Sequence, residues 1–246
     1  MIEPFRKKYS VHAYEVDASG RARFPSLLNY LQDAAGDHAG SLGLGVTDLL
    51  KKRLTWLLSR YHIKVVRYPV HGQRLEVTTW PSGKKGIFAL RDFEVTDAEG
   101  RPMLAATTSW VLIDLDSKQA VRLNDFVPDD LTFHRRAIDD VFPTLPELEK
   151  VERELTLPVL VKDLDFNRHV NNVVYIEWAL EAAPPEISGS LRPLDVEVSY
   201  RAEAFYGDRI VSKIQEVPRS LPRTFLHQIF RPSDGIELTR LRTVWG

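Results

Sequence analysis

Two periodicities of apolar residues alternate along the chain and predict its strands and helices. In the N-terminal part, alternation of apolar and polar residues predicts strands at 5–14, 54–66, 75–80, 87–96 and 103–115. Between the first two strands, apolar residues at helical spacing predict one long helix, which begins near Pro25 and ends at Gly40. A short helix is predicted at 48–52, and turns are predicted at 81–83 and 97–100.

The same order of elements returns in the C-terminal part. Strands are predicted at 155–161, 196–202, 209–217, 223–230 and 237–245, with one helix at 172–183 after the first of them. Between the two parts, prolines and mixed charges predict a linker. One helix wrapped by a curved antiparallel sheet is the hotdog fold, which belongs to the α+β class. The pattern therefore predicts a tandem double hotdog, with units at 1–116 and 155–246 and a linker at 117–154.

An internal repeat supports the two units. An offset of 148 residues places Asp17 on Asp165, and an offset of 135 residues later in the chain places Gly72 on Gly207. The aligned blocks occur in the same order and carry the same predicted elements. Such agreement indicates a duplicated unit rather than chance identity.

The most polar stretch of the second unit, residues 163–178, runs into its helix. Asp165, Asn167 and His169 recur at spacing two, which places their side chains on one face if the segment is extended. Asn171 or Asn172 can cap the helix that follows. Free amides and the helix dipole favour negative charge at that end. The stretch therefore predicts a place that stabilises an oxyanion.

This stretch resembles the acyl-(acyl carrier protein) thioesterases, which end fatty acid synthesis in plants and have bacterial relatives. The matching residues are Asp163-Leu164-Asp165, Asn167, His169-Val170-Asn171-Asn172, Tyr175-Ile176, Trp178-Ala179-Leu180-Glu181 and Val198-Ser199-Tyr200-Arg201-Ala202-Glu203. The resemblance implies that Glu203 is the catalytic glutamate and that the first unit takes part in binding the acyl chain. Many family members have a cysteine directly after that glutamate. Here the position is Ala204, so the prediction excludes a thiol mechanism.

The repeat separates the residues that the chemistry needs from those that the fold needs. The counterparts of Asn167, His169 and Glu203 in the first unit are, in that order, Ser19, Arg21 and Tyr68. The fold therefore does not require an amide, an imidazole or a carboxylate at these places. We predict that these three residues carry chemistry and that the first unit has no active site.

A thioester is cleaved when a base activates water, donors bind the carbonyl oxygen and the thiolate leaves. We expect Glu203 and His169 to hold and deprotonate the water, and Asn167 to hold the carbonyl group or the water. Backbone amides near residues 170–172 would face the oxyanion, and Asp165 would orient its neighbours. In an alternative mechanism, Asp165 attacks the thioester and forms a mixed anhydride. The sequence leaves both mechanisms open.

Composition excludes several other functions. The 246 residues carry a net charge of −1 without a long basic run, which argues against nucleic acid as a partner. With no cysteine, the chain has no disulfide, no cysteine-based zinc site and no thiol nucleophile. The other histidines lack the spacing of metal ligands, and no glycine-rich phosphate loop is present, so we predict neither a metal nor a nucleotide cofactor.

Location follows from the same features. No apolar run approaches the roughly 20 residues of a membrane span, so no membrane association is predicted. The N-terminal residues lack the apolar region of a signal peptide and do not resemble the transit peptide of plant relatives. We therefore expect a cytoplasmic protein.

The predicted substrate is fatty acyl-(acyl carrier protein), and the predicted partner is the acidic carrier protein. Basic residues are expected to meet it, and the candidates are Lys84, Lys85, Arg135, Arg136, Arg201 and Arg209. The alternatives are hydrolysis of acyl-CoA and a non-catalytic acyl-binding hotdog protein. The oligomeric state is left open, with a homodimer as one candidate.

Overall fold

The computed structural model describes residues 2–165 and 167–246. The chain folds into two compact units, Met1–Val141 and Phe142–Gly246. Each unit has one long helix and an antiparallel sheet, as the sequence predicts for a tandem double hotdog. No helix in the described ranges is long and apolar enough to cross a bilayer.

The first unit contains β1 (Phe5–Ser10), α1 (Phe24–Ser41), α2 (Val46–Lys51), β2 (Leu54–Val65), β3 (Arg74–Lys85), β4 (Phe88–Asp97) and β5 (Pro102–Asp114). Its strands lie in the order β1-β3-β4-β5-β2, and neighbouring strands are antiparallel. Helix α1 buries the face that carries Leu28, Leu31 and Ala34, none of which is exposed to solvent. This apolar stripe accounts for the helix position on the sheet.

The second unit contains β6 (Arg153–Pro158), α3 (Asn172–Glu181), α4 (Pro185–Ser188), β7 (Pro193–Tyr200), β8 (Arg209–Glu216), β9 (Arg223–Arg231) and β10 (Ile236–Trp245). Its strands lie in the order β7-β10-β9-β8-β6. Asn171 is the N-cap of α3, and its Oδ1 accepts from the amide of Val173 at 3.0 Å. One of the two predicted caps is therefore correct, although α3 ends at Glu181 rather than at residue 183.

The repeat predicted from the sequence extends to individual hydrogen bonds. The indole nitrogen of Trp110 donates to Thr108, and that of Trp245 donates to Thr243, over 2.8 Å in both cases. These pairs are related by the offset of 135 residues. The two units therefore share details that the hydrophobic pattern alone does not show.

Two further predictions about the first unit are wrong. The predicted turn at 81–83 lies inside β3, where the register shifts between Pro81 and Gly83. A bulge accommodates a proline, which cannot donate to the ladder, so the strand continues through it. The predicted first strand ends at Ser10 instead of residue 14, because a short 3₁₀ helix follows at Ala13–Glu15.

The predicted linker is divided between the units, and its first part is packed. One side chain from each of four neighbouring strands holds the segment 133–140, and these four lie in register: Trp80, Asp92, Thr107 and His62. Fully buried Asp92, for example, accepts from the Ala137 amide at 2.7 Å and from Nε of Arg136 at 3.1 Å. This segment therefore belongs to the first unit.

Candidate active site

Asp165 and residues 167–169 make the hydrogen bonds of a tight turn instead of forming the extended ladder that the spacing predicts. The Asp165 amide donates to the His169 carbonyl at 2.8 Å, and the Arg168 amide donates to the Asp165 carbonyl at 3.0 Å. The cause is the Asp165 carboxylate, whose Oδ1 accepts from the amides of Asn167 at 2.8 Å and His169 at 3.2 Å. An aspartate that accepts local backbone amides favours a turn over a strand. Phe166 lies outside the described residues.

His169 and Glu203 come together although they are distant in sequence. Nδ1 of His169 lies 3.1 Å from Oε1 of Glu203, and the two side chains are 39% and 45% exposed. The ring of Phe205 meets the imidazole edge to face, with the ring centres 5.3 Å apart. A neutral imidazole that donates from Nδ1 to the carboxylate has Nε2 left as an acceptor. This nitrogen can therefore take a proton from water.

Asn167 lies two residues before His169 in the sequence, and its side chain is available to a ligand. The residue is half-buried, and only its backbone amide is used by the turn. Its carboxamide makes no hydrogen bond to any residue that the structure describes. A carboxamide offers both a donor and an acceptor, so it can bind a carbonyl oxygen or a water molecule.

The backbone amides predicted to face an oxyanion are not equivalent. The Val170 amide donates to the Ala204 carbonyl at 3.2 Å, and the Asn171 amide donates to the Asp163 carbonyl at 2.9 Å. Both are therefore engaged in holding the loop. The Asn172 amide, at the first residue of α3, has no acceptor within residues 2–165 and 167–246. It is the amide that the helix N-terminus offers to negative charge.

Two residues without a predicted role hold the peptide that follows Glu203. The hydroxyl oxygen of Tyr175 accepts from the Ala204 amide at 2.7 Å, and Nη1 of Arg231 donates to the Glu203 carbonyl at 3.0 Å. The repeat carries a signal for the tyrosine, since the offset of 148 residues places Leu27 at its counterpart. The arginine has no comparable signal because its contact depends on the fold of the loop.

Several residues close to the site in the sequence expose apolar or basic side chains. Val161, Phe205 and Tyr206 are 68%, 45% and 64% exposed. Arg168 and Arg209 are exposed as well. Clusters of exposed apolar side chains commonly mark binding surfaces.

Several of the basic residues predicted to meet a carrier protein are engaged within the first unit. Lys84 pairs with Asp129 at 2.8 Å, and Arg136 pairs with buried Asp92 at 3.1 Å. The guanidinium of Arg135 lies 4.3 Å from the ring centre of Trp80. These side chains make contacts within their own unit, and the sequence does not show it because their partners are distant in the chain.

Comparisons with known proteins follow the division of the chain. The sequence pattern of the acyl-ACP (acyl carrier protein) thioesterase N-terminal domain matches residues 3–131, and that of the C-terminal domain matches residues 147–246. The chain is 30% identical over 259 residues to the chloroplastic palmitoyl-acyl carrier protein thioesterase of Cuphea hookeriana. That match covers 98% of this chain and 62% of the plant protein, so the chain spans less than two thirds of this relative.

Solved structures agree over almost the whole chain. An acyl-ACP thioesterase from Bacteroides thetaiotaomicron is 26% identical with a TM-score of 0.88, covering 99% of this chain and 98% of that chain. The 12:0-ACP thioesterase from Umbellularia californica is 27% identical with a TM-score of 0.90, covering 99% and 94%. Both halves of the sequence and the double hotdog fold thus point to one family, and the chain belongs to the acyl-ACP thioesterases.

Proposed function

We propose that this protein hydrolyses the thioester of fatty acyl-ACP, releases the free fatty acid and so ends chain elongation in fatty acid biosynthesis. The observation that carries the proposal is the contact between His169 and Glu203 beside the N-terminus of α3. The first unit, which has the same fold, lacks both residues at the corresponding places. The relatives named above are thioesterases that act on acyl-ACP, which supports the same reaction here.

The proposed chemistry begins with a water molecule at the imidazole. Glu203 holds the ring through Nδ1, and Nε2 takes a proton from water as the water oxygen attacks the carbonyl carbon. The oxyanion that forms is stabilised by the Asn172 amide and the carboxamide of Asn167. Collapse of the tetrahedral intermediate breaks the carbon–sulfur bond. The thiolate then leaves and receives the proton from the imidazolium.

Access to the site agrees with this scheme. Both members of the catalytic pair are partly exposed, so water and a thioester can reach them without opening of the fold. The carrier protein brings the acyl group to the site and must contact the residues around it. Arg168 and Arg209 are exposed there and suit an acidic carrier, while Phe205 and Tyr206 offer apolar contact.

Acyl-CoA is the second candidate substrate, since it presents the same thioester. A non-catalytic acyl-binding role is less well supported, because it does not require His169, Glu203 and Asn167 to lie in one region. The names of the similar proteins favour the carrier-bound substrate over acyl-CoA.

The test is release of free fatty acid from matched series of acyl-ACP and acyl-CoA substrates of increasing chain length. We expect a higher kcat/KM for acyl-ACP at every chain length that is hydrolysed. Glu203→Gln and His169→Ala, purified in the same way, control for contaminating hydrolases. Equal efficiencies for the two series would favour acyl-CoA hydrolysis, and no release from either series would leave the acyl-binding role.

The cytoplasmic location and the homodimer belong to the same proposal. The lack of cysteine is compatible with a reducing compartment. Cell fractionation measures the location, and sedimentation equilibrium measures the number of chains in the particle.

A further inference from the structure

The peptide bond between Glu203 and Ala204 is held from both sides. Its carbonyl, that of Glu203, accepts from Nη1 of Arg231 at 3.0 Å. Its amide, that of Ala204, donates to the hydroxyl oxygen of Tyr175 at 2.7 Å. The next carbonyl, that of Ala204, accepts from the Val170 amide at 3.2 Å. The backbone from which the Glu203 side chain projects is therefore fixed in orientation.

Tyr175 is itself rigid. It lies on α3 with 3% of its surface exposed, and its ring meets those of Trp178 and Tyr200 at centre distances of 5.2 Å and 6.0 Å. Burial raises the pKa of the phenol above its ordinary value, so the group is neutral at all pH values of interest. A neutral, buried hydroxyl in a packed aromatic cluster is a fixed point of attachment for a loop.

The repeat provides an internal comparison. The counterpart of Tyr175 is Leu27, which has no acceptor, and the counterpart of Ala204 is Pro69, which has no amide hydrogen. Both partners of the hydrogen bond are therefore missing from the unit that lacks the catalytic pair. A hotdog unit folds without this bond, so its presence in the second unit calls for a reason other than folding.

We propose that Tyr175 is a positioning residue for thioester hydrolysis, which it serves by orienting the Glu203–Ala204 peptide and hence the contact between Glu203 and His169. The inference rests on the proposed function. Tyr175 does not touch the reacting atoms in this scheme. Its contribution reaches the reaction through Oε1 of Glu203, which holds Nδ1 of His169.

The test is Tyr175→Phe, which removes the acceptor and keeps the ring. We expect kcat to fall by about 10-fold with KM unchanged, because the hydrogen bond orients a catalytic group without contacting substrate. The matched control is Tyr30→Phe, which removes the hydroxyl of a buried tyrosine on α1 in the first unit. That hydroxyl bonds to Glu15, and its loss is expected to leave kcat within about 2-fold, because the bond lies in the unit without the catalytic pair.

A double-mutant cycle separates positioning from general damage. In a Glu203→Gln background, Tyr175→Phe is expected to cost little further activity, since the group that it orients no longer acts as a carboxylate. A full additional loss, or an unchanged kcat in the single variant, would overturn the proposal. If the wild-type protein hydrolyses no thioester, the proposed function fails instead. Hydrogen exchange at the Ala204 amide then still tests the hydrogen bond to Tyr175. This amide should be protected from exchange in the wild type and should exchange faster in Tyr175→Phe.

Discussion

Asp165 and Asp17 occupy the same place in two loops and accept the same pair of backbone hydrogen bonds. In each, Oδ1 accepts from the backbone amide two residues later at 2.8 Å and from the amide four residues later at 3.2 Å. Only one of these loops presents an imidazole. Because the first unit keeps the carboxylate without the other site residues, we propose that Asp165 shapes the loop that presents His169.

This relationship predicts the effect of changing Asp165. Asp165→Asn keeps a carbonyl oxygen that can accept both amides, so kcat is expected to stay within about 10-fold of the wild type. Asp165→Ala removes the acceptor, loosens the turn and is expected to lower kcat by a further factor of about 10. Steady-state kinetics on the two variants measure the difference, with Asp17→Asn as the matched change in the first unit.

Isotope labelling tests the same point in another way. If Asp165 were the nucleophile, Asp165→Asn would lose nearly all activity. Single-turnover hydrolysis in H₂¹⁸O would then leave label on the aspartate when water opens the anhydride at its aspartyl carbonyl. We expect label in the fatty acid and none in the protein. Label on Asp165 would replace the water mechanism with an anhydride.

The three residues that the first unit lacks should matter most for the rate. His169→Ala, Asn167→Ala and Glu203→Ala are each expected to lower kcat/KM by about 10²-fold or more, the usual scale for losing acid–base or oxyanion help. Thermal unfolding should change little, since the first unit folds with other residues at these places.

Matched changes in the first unit complete that experiment. Ser19→Ala and Arg21→Ala alter the counterparts of Asn167 and His169 and are expected to leave kcat/KM unchanged. A similar loss in both units would mean that the loops act through stability alone. Full activity in Glu203→Ala would remove that residue from the mechanism.

The sequence predicts the parts of this protein that depend on local pattern. Alternating and helical periodicities place every long strand and both long helices, and Asn171 caps α3 through a bond to Val173, only two residues away. The repeat works for the same reason, because equal patterns fold into equal units. Even the correspondence between Trp110 and Trp245 follows from a constant offset.

Other features depend on partners that lie far apart in the chain, and the sequence does not show them. The spacing of Asp165 and His169 fits a strand, yet the Asp165 carboxylate accepts from two nearby backbone amides and makes the segment a turn. Prolines and mixed charges in the segment 117–154 indicate a linker. Buried Asp92, more than 40 residues away, fixes Arg136 and Ala137 on the sheet, which no local pattern indicates.

A buried histidine predicts how stability depends on pH. His227 lies in the core of the second unit, where burial lowers its pKa to about 3. The unfolded chain binds a proton there below pH ~6.5, whereas the folded protein does not. Stability is therefore expected to fall as the pH decreases below ~6.5, by up to about 1.4 kcal/mol per pH unit for this group. Burial also lowers the pKa of His38 to about 4, which adds a slope of the same sign.

His227→Phe isolates the contribution of the second unit. By strand register, Phe93 takes this place in the first unit, since it pairs with Ala106 as His227 pairs with Leu241. The free energy of unfolding of the variant is expected to fall less steeply between pH 7 and pH 5. The difference in slope should correspond to about one bound proton. Urea unfolding at several pH values measures this slope. Parallel curves for variant and wild type would mean that His227 is protonated in the folded state.

Arg168 combines backbone strain with a place beside the site. Its φ is 64°, in the left-handed region, and the corresponding residue of the first unit is Gly20 with φ 77°. A side chain at such a φ costs roughly 1 kcal/mol relative to glycine. The guanidinium is exposed and forms no ion pair with any described residue. Because the other unit avoids this strain, we propose that the Arg168 side chain serves binding.

Arg168→Gly is therefore expected to stabilise the fold and weaken substrate binding together. Relief of strain should raise the free energy of unfolding by about 0.5 kcal/mol. This net gain is smaller than the strain itself, because glycine increases the conformational entropy of the unfolded chain. KM for acyl-ACP should rise by about 3-fold or more at low salt, with kcat unchanged, and the difference should shrink as salt screens the charge. Arg219→Gly is the matched control, because Arg219 is exposed with φ 58° and follows the end of β8 that is remote from Glu203. The Arg219→Gly variant should gain similar stability without any change in KM. An equal change in KM for both variants would show that Arg168 has no special part in recognising the carrier.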